Sequence, residues 1–351
     1  MAYTTINKGT AHFDTKLYTG TSGTINVTGL DFQPDFTWIY NRGGTYASPM
    51  FDAVRGVTKL IESTGNGGEN TVANTLTSFD SNGFTVGADG NNYVNRSSSP
   101  NTYVAWNWKM GGSGSANTDG SINSTVSVNS TAKMSIVTFT GTDSNETVGH
   151  GLGVAPDVIL VKKLTGTSTN WFVFHKGMFD TDSTAYINLN TTDGKSQSSG
   201  VFQSTAPTNT VFSIGTSFTD KNYVAYCFTN TKGFFHSGVY TGNNSTDGIF
   251  LYTGFKPSFL ITKRYGANGY NWVIQDNKRS STNGNNPMDR WVYANVSDTE
   301  ADQSSNPTDF LSNGIKIRNN GSYMNQASDY LYWAFAEAPL VGSNNIPATA
   351  R

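Results

Sequence analysis

Apolar residues in this chain gather in short runs, and three of the runs read almost alike. "NTYVAWNW" (101–108), "KNYVAYCF" (221–228) and "SDYLYWAF" (328–335) are each nearly continuous in apolar residues. That pattern predicts a central strand packed on both faces. Two further sets accompany them: "LYTG" (17–20), "TFTG" (138–141) and "VYTG" (239–242), and then "GLDFQPDFTWIYNR" (29–42), "GLGVAPDVILVKK" (151–163) and "YTGFKPSFLITKR" (252–264). The order is the same each time: a Thr-Gly turn, a Pro segment, then the Tyr-rich run. Phe139 and Tyr240, Pro156 and Pro257, Lys162 and Lys263, and Trp171 and Trp272 are each 101 residues apart. An ungapped offset of that kind indicates duplication. The first copy is looser, with Pro34 lying 122 residues before Pro156 and Tyr103 lying 120 before Tyr223.

The runs after the prolines, "FTWIYN", "VILVKK" and "FLITKR", are rich in β-branched and aromatic residues, as strands are. Proline lacks an N–H, so it belongs ahead of the paired residues. "FDSNGFTVG" (79–87) and "FLSNGIKIR" (310–318) place Asn-Gly between strand-like flanks, a hairpin signal; "TNTVFSIG" (208–215) matches it poorly. A short helix is compatible with "ASPMFDAVRGVTKL" (47–60), although Gly56 lies inside it. The predicted fold is all-β: three tandem β-sandwiches, jelly-roll or lectin-like, of about 100 residues each. Their predicted extents are 1–112, 133–232 and 233–340. A Gly/Ser/Asn-rich linker (113–132) separates the first two, within which "TVSVNS" could add an edge strand, and 341–351 form a tail. The second and third sandwiches follow each other directly and should sit close together.

Composition agrees with strands and polar turns: of 351 residues 14% are charged and 13% aromatic. An average soluble domain is roughly 25% charged. A net charge of -2 offers no basic surface for a phosphate backbone, which argues against nucleic acid as a partner. No signal peptide or membrane span is evident, so synthesis in a cytoplasm without membrane insertion is expected. The Asn-x-Ser/Thr triplets at Asn26, Asn145 and Asn244 read as chance in so Asn/Thr-rich a chain. The single cysteine, Cys227, excludes an internal disulfide and reads as a small buried hydrophobe.

Candidate chemistry is sparse. His12, His150, His175 and His236 show no metal-ligand spacing, and no nucleophile elbow or phosphate loop occurs. His175 aligns with Asp276, which suggests a turn or surface position over a catalytic base. "FDTDSTAY" (179–186) and "TDSNE" (142–146) lack the ligand ladder of a calcium loop and read as solvated turns. Asp35 and Asp157 follow the repeated proline and Ser258 replaces them in the third copy, which reads as a turn cap. "TNWFVFHK" and "YNWVIQDNKR" make Trp171, Trp272 and Tyr270 the candidate binding residues, since a presented aromatic can stack on a sugar or anchor an interface. The alternation around both tryptophans favours the core. No cofactor is implied.

As a set, "TVGHGLGVAPDVILVKK", "NYVAYCF", "YTGFKPSFLITKR", "DFLSNGIKIR" and "YWAFAEAPLVGSNNIPATAR" resemble repeat domains of virion structural proteins in marine tailed bacteriophages, those of cyanobacteria especially. The likeness covers nearly the whole chain. It implies a component of the particle exterior, often labelled tail fibre or lectin-like, and carries over no catalytic residue. The expected function is a non-enzymatic adhesin of the tail fibre or tail tip that binds host surface glycans. The alternative is a capsid decoration, cement or head-fibre protein, and a capsule depolymerase is the enzyme reading weighed against both. Expected partners are other virion proteins and further copies of the chain, with a trimer the usual state of fibres.

Overall fold

The computed structural model describes residues 3–99, 101–342 and 347; the predicted tail falls mostly outside them. The fold is all-β, built of antiparallel sheets, with short helices at Lys176–Phe179 and Ser199–Phe202 and a 3-10 turn at Gly9–Ala11. Residues 47–60 form no helix: Pro49–Asp52 is a strand, followed by turns.

Three large sheets share one strand order around the Tyr-rich strand. In the first, Thr102–Trp108 lies between Phe13–Thr19 and Phe36–Asn41. In the second, Asn222–Phe228 lies between Met134–Thr140 and Val158–Lys163. In the third, Asp329–Pro339 lies between Phe235–Thr241 and Phe255–Arg264. Each sheet continues outward through three short strands, and each faces a smaller one: Ile25–Thr28 with Gly83–Val86 and Leu76–Asp80, Glu146–Gly149 with Val211–Ile214, and Phe250–Tyr252 with Gly314–Ile317 and Thr308–Leu311. The stretch read as a linker instead supplies Ser115–Asn117 and Ser124–Asn129, which extend the second sheet. Its strand takes up the alternating "STVSVN" pattern.

Both faces of the Tyr-rich central strand are buried in every large sheet, which explains the continuous apolar runs. One face packs against the small sheet, as Ile39, Tyr103 and Ala105 do with Val27, Leu76 and Phe84. On that face neighbouring strands of each large sheet pair their rings: Tyr18 stacks on Tyr103 at 5.0 Å, Phe139 on Tyr223 at 5.4 Å and Tyr240 on Tyr330 at 5.0 Å. The other face enters a core common to all three sheets, where Phe36, Trp106, Ile136, Tyr226, Phe259 and Phe335 meet. Phe36 stacks on Tyr226 at 4.2 Å and Phe13 on Phe335 at 5.0 Å. The sequence predicts one core per sandwich; the main core is instead shared.

The three sheet pairs close into a ring. The Glu69 N–H donates to the Leu164 carbonyl (2.8 Å), the Lys195 N–H to Tyr265 (2.9 Å) and the Glu300 N–H to Arg42 (2.7 Å), joining first to second, second to third and third to first. Each seam repeats the contact with a long side chain from the same strand position. Lys162 Nζ donates to the Asn66 carbonyl (2.9 Å), Lys263 Nζ to Thr191 (3.5 Å) and the Tyr40 hydroxyl to Val296 (3.2 Å).

Candidate binding site

The residues best suited to chemistry lie inside the seams. Asp52, His175 and Asp276 occupy one register position, opposite Phe36, Val158 and Phe259. Asp52 Oδ2 accepts from the Tyr226 hydroxyl (2.7 Å) and from Arg55 Nε (2.5 Å). Asp276 Oδ2 accepts from Trp106 Nε1 (2.9 Å) and Arg279 Nε (2.6 Å). Burial alone would lower the Arg279 pKa, but the carboxylates of Asp276 and Glu300 outweigh it and raise it. In the second sheet His175 takes the aspartate's place, Met178 takes the arginine's, and His175 Nε2 donates to the Tyr332 carbonyl (3.3 Å). His175 is therefore an interior residue, not the turn or surface position its alignment suggested. Burial lowers its pKa to about 4, so the ring is neutral. Cys227 is buried, and its thiol is pushed up to about 12. Asp52, His175, Asp276, Arg279 and Cys227 are all buried, and no cluster of three metal-ligating side chains occurs among the described residues.

Asp35 and Asp157 act across elements and not as local turn caps. Their Oδ2 atoms accept the N–H groups of Met110 (2.8 Å) and Asn230 (2.7 Å), where the chain leaves each Tyr-rich strand. Ser258 donates instead, to the Phe335 carbonyl (3.3 Å).

The candidate tryptophans are clamps of the ring. Trp171 and Trp272 are fully buried. Their indole N–H groups donate across seams to the carbonyls of Glu62 (2.9 Å) and Asn188 (3.0 Å), and Lys162 and Lys263 sit over their rings at 5.9 Å. Neither can stack on a ligand. Tyr270 is half-buried, with the Arg264 guanidinium 4.3 Å from its ring centroid and Tyr323 at its edge (5.6 Å). These three aromatics do not form a common site.

Exposed aromatic surface lies elsewhere. On Phe250–Tyr252, Leu251 points inward while Phe250 and Tyr252 are 43% and 54% exposed. Gly314, opposite Tyr252, leaves room for the Phe250 ring, which a Cβ there would meet at 2.6 Å. The matching positions of the first small sheet hold Asn26 and Thr28, so the aromatic pair belongs to the third alone. Beside Tyr252 opens a cavity of about 390 Å³ lined by Tyr3, Asn230, Lys232, Phe235 and His236. The Tyr3 hydroxyl donates to the Gly254 carbonyl (2.8 Å), and Gly254 holds φ +76°, where a side chain would press on that hydroxyl. The exposed Lys232 amine lies 4.2 Å from the Tyr3 ring centroid and makes no salt bridge among the described residues. His236 Nδ1 is 3.1 Å from the Tyr332 hydroxyl, and burial lowers its pKa. The floor is thus apolar and the rim donates and accepts hydrogen bonds, the make-up of a small-molecule site. Sequence reading missed it because "IFLY" is a continuous apolar run, which reads as buried on both sides, and Tyr3 is distant in the chain.

No curated protein and no solved structure matches the chain. The sequence model of a family described as a domain of unknown function, DUF7483, matches residues 8–339, a span that includes all three sheet pairs. The chain belongs to the DUF7483 family.

Proposed function

We propose that this protein is a non-enzymatic structural component of the exterior of a bacteriophage particle, a tail-fibre or tail-tip adhesin that holds a host surface glycan beside Tyr252. The observation that carries the reading is the exposed Phe250–Tyr252 pair next to the 390 Å³ cavity. Aromatic faces stack on the apolar face of a sugar ring, while Asn230 and Lys232 offer hydrogen bonds to its hydroxyls. Assignment to a virion rests on the sequence resemblance given above. Such a protein is assembled in the host cytoplasm and attaches to other virion proteins, as a trimer where it serves a fibre. Glycan-array and cell-binding measurements test the reading. The wild-type chain should bind, and Tyr252→Ala should weaken binding about tenfold, a loss in line with the ~0.5–1.5 kcal/mol assigned to an aromatic contact beyond its buried area. Absence of any glycan or cell binding by the wild-type chain would overturn it.

Capsid decoration is the second reading, favoured by the closed ring, in which the last third of the chain returns to the first. Hundreds of copies per particle, and virions that adsorb without the protein yet burst on heating, would establish decoration over adhesion.

A further inference from the structure

Each Tyr-rich strand is flanked, on the side away from the short outer strands, by an equivalent strand: Phe13–Thr19, Met134–Thr140 or Phe235–Thr241. The second of these is covered. Ser124–Asn129 runs antiparallel along it, pairing Thr125 with Thr138 and Ser127 with Ile136. The other two have no strand on that side among the described residues.

Their inner ladders fix which backbone groups point outward. The Gly20 N–H donates to Asn101 and the Gly242 N–H to Ser328, so the even-numbered residues bond inward. The N–H and C=O groups of Leu17, Thr19, Val239 and Thr241 therefore face away from their sheets. The earlier part of each edge is already satisfied: the Thr15 N–H donates to Asp14 Oδ1 (2.8 Å), and the Ser237 N–H to Asn230 Oδ1 (2.6 Å). What remains open among the described residues is 16–19 and 238–241.

The side chains over these open stretches are the reverse of the usual protection. Edges in solution normally carry lysine or other polar groups. Here the matching residues are Leu17 and Val239, 41% and 38% exposed, while the covered edge carries Thr138. Lys16 does not shield its edge, since its amine bends back to the Gly29 carbonyl (2.6 Å). A Cβ on Gly177 would lie 2.8 Å from Val239, so the neighbouring helical turn narrows the approach to the third edge. That fits a thin strand better than the broad edge of a second copy.

We infer that the Leu17 and Val239 edges each accept an extended segment of another protein, added antiparallel in the place that Ser124–Asn129 takes on the second sheet. Its residue opposite Leu17 or Val239 should be apolar, where the chain's own strand has Thr125.

A synthetic peptide of residues 121–131, with and without Thr125→Val, tests this on the full-length, isotope-labelled chain. The Thr125→Val peptide should shift the amide resonances of residues 17, 19, 239 and 241 saturably and slow their hydrogen exchange. It should bind about two- to fivefold more tightly than the unmodified peptide, as one improved cross-strand pair allows. Leu17→Asp should abolish the first set of shifts and leave the second, and Val239→Asp the converse; both side chains are exposed, so folding is spared. Unmoved amides at millimolar peptide, or shifts that survive these substitutions, would overturn the inference. Protection of the same amides that grows with protein concentration without peptide would overturn the choice of occupant in favour of a second copy.

Discussion

Asp52, His175 and Asp276 show how one position can be solved twice. With arginine three residues on, the carboxylate is buried as an ion pair that also accepts from a ring on the next sheet; with Met178 there, a neutral imidazole serves. Removing one partner of a buried pair strands the other. Asp276→Ala leaves Arg279 Nε and the Trp106 N–H unmatched, with Glu300 still paired to the other end of the guanidinium, and should cost about 3 kcal/mol in denaturant unfolding. Asp31→Ala, at the exposed Lys8 pair, should leave the unfolding midpoint unchanged. His175 makes stability pH-dependent. Its folded pKa of about 4 lies below the ordinary value of 6.5, so the unfolded chain takes up the proton first. The contribution is whole above pH 6.5 and is lost as the pH falls towards 4, by roughly 3 kcal/mol. Unfolding free energies at pH 7 and 4.5 should fall steeply for the wild type and less for His175→Gln; equal slopes would refute the assignment. The alignment of His175 with Asp276 was legible in the sequence, but burial was not. Whether an acid is interior depends on its partner, and Trp106 stands 170 positions from Asp276.

Strand elements were legible where a pattern was local. The Pro segments, the Tyr-rich strands and both hairpins form, with one refinement: the two-residue loops are Ser81-Asn82 and Ser312-Asn313, and the glycines open the next strands. Gly83 is required by close approach, because a Cβ there would sit 1.9 Å from the Val27 carbonyl oxygen. Gly83→Ala should therefore destabilise by about 1–3 kcal/mol, measured by thermal unfolding, whereas Gly67→Ala, with nothing within 4 Å, should be nearly neutral. Pro257 departs from its counterparts. It lies within Phe255–Arg264 at a break in register, where a missing N–H is tolerated. The strand expected at "TVSVNS" forms, but Ser115–Asn117 pairs outside it, so the Gly/Ser-rich start that read as a flexible connector holds the sheet's edge.

At the scale of the whole molecule, the sequence displays repetition but not closure. A run apolar on both sides reads the same whether its second face meets its own small sheet or a neighbour's core. Trp171 and Trp272 were ambiguous for that reason, and their partners Glu62 and Asn188 lie on other sheet pairs. Because Phe36, Tyr226, Phe259 and Phe335 share one core, unfolding should be a single cooperative transition in calorimetry, with no separate melting of three domains. Residues 133–232 expressed alone should fail to give dispersed amide resonances, since their inner face would stand in water.

The Glu300–Arg42 contact joins the last third of the chain to the first. During translation the aromatic faces around Trp106 and Tyr226 must wait for Phe259 and Phe335 to leave the ribosome before they can be covered. Nascent chains halted near residue 232 should be strong chaperone clients, and release of the remaining residues should free them.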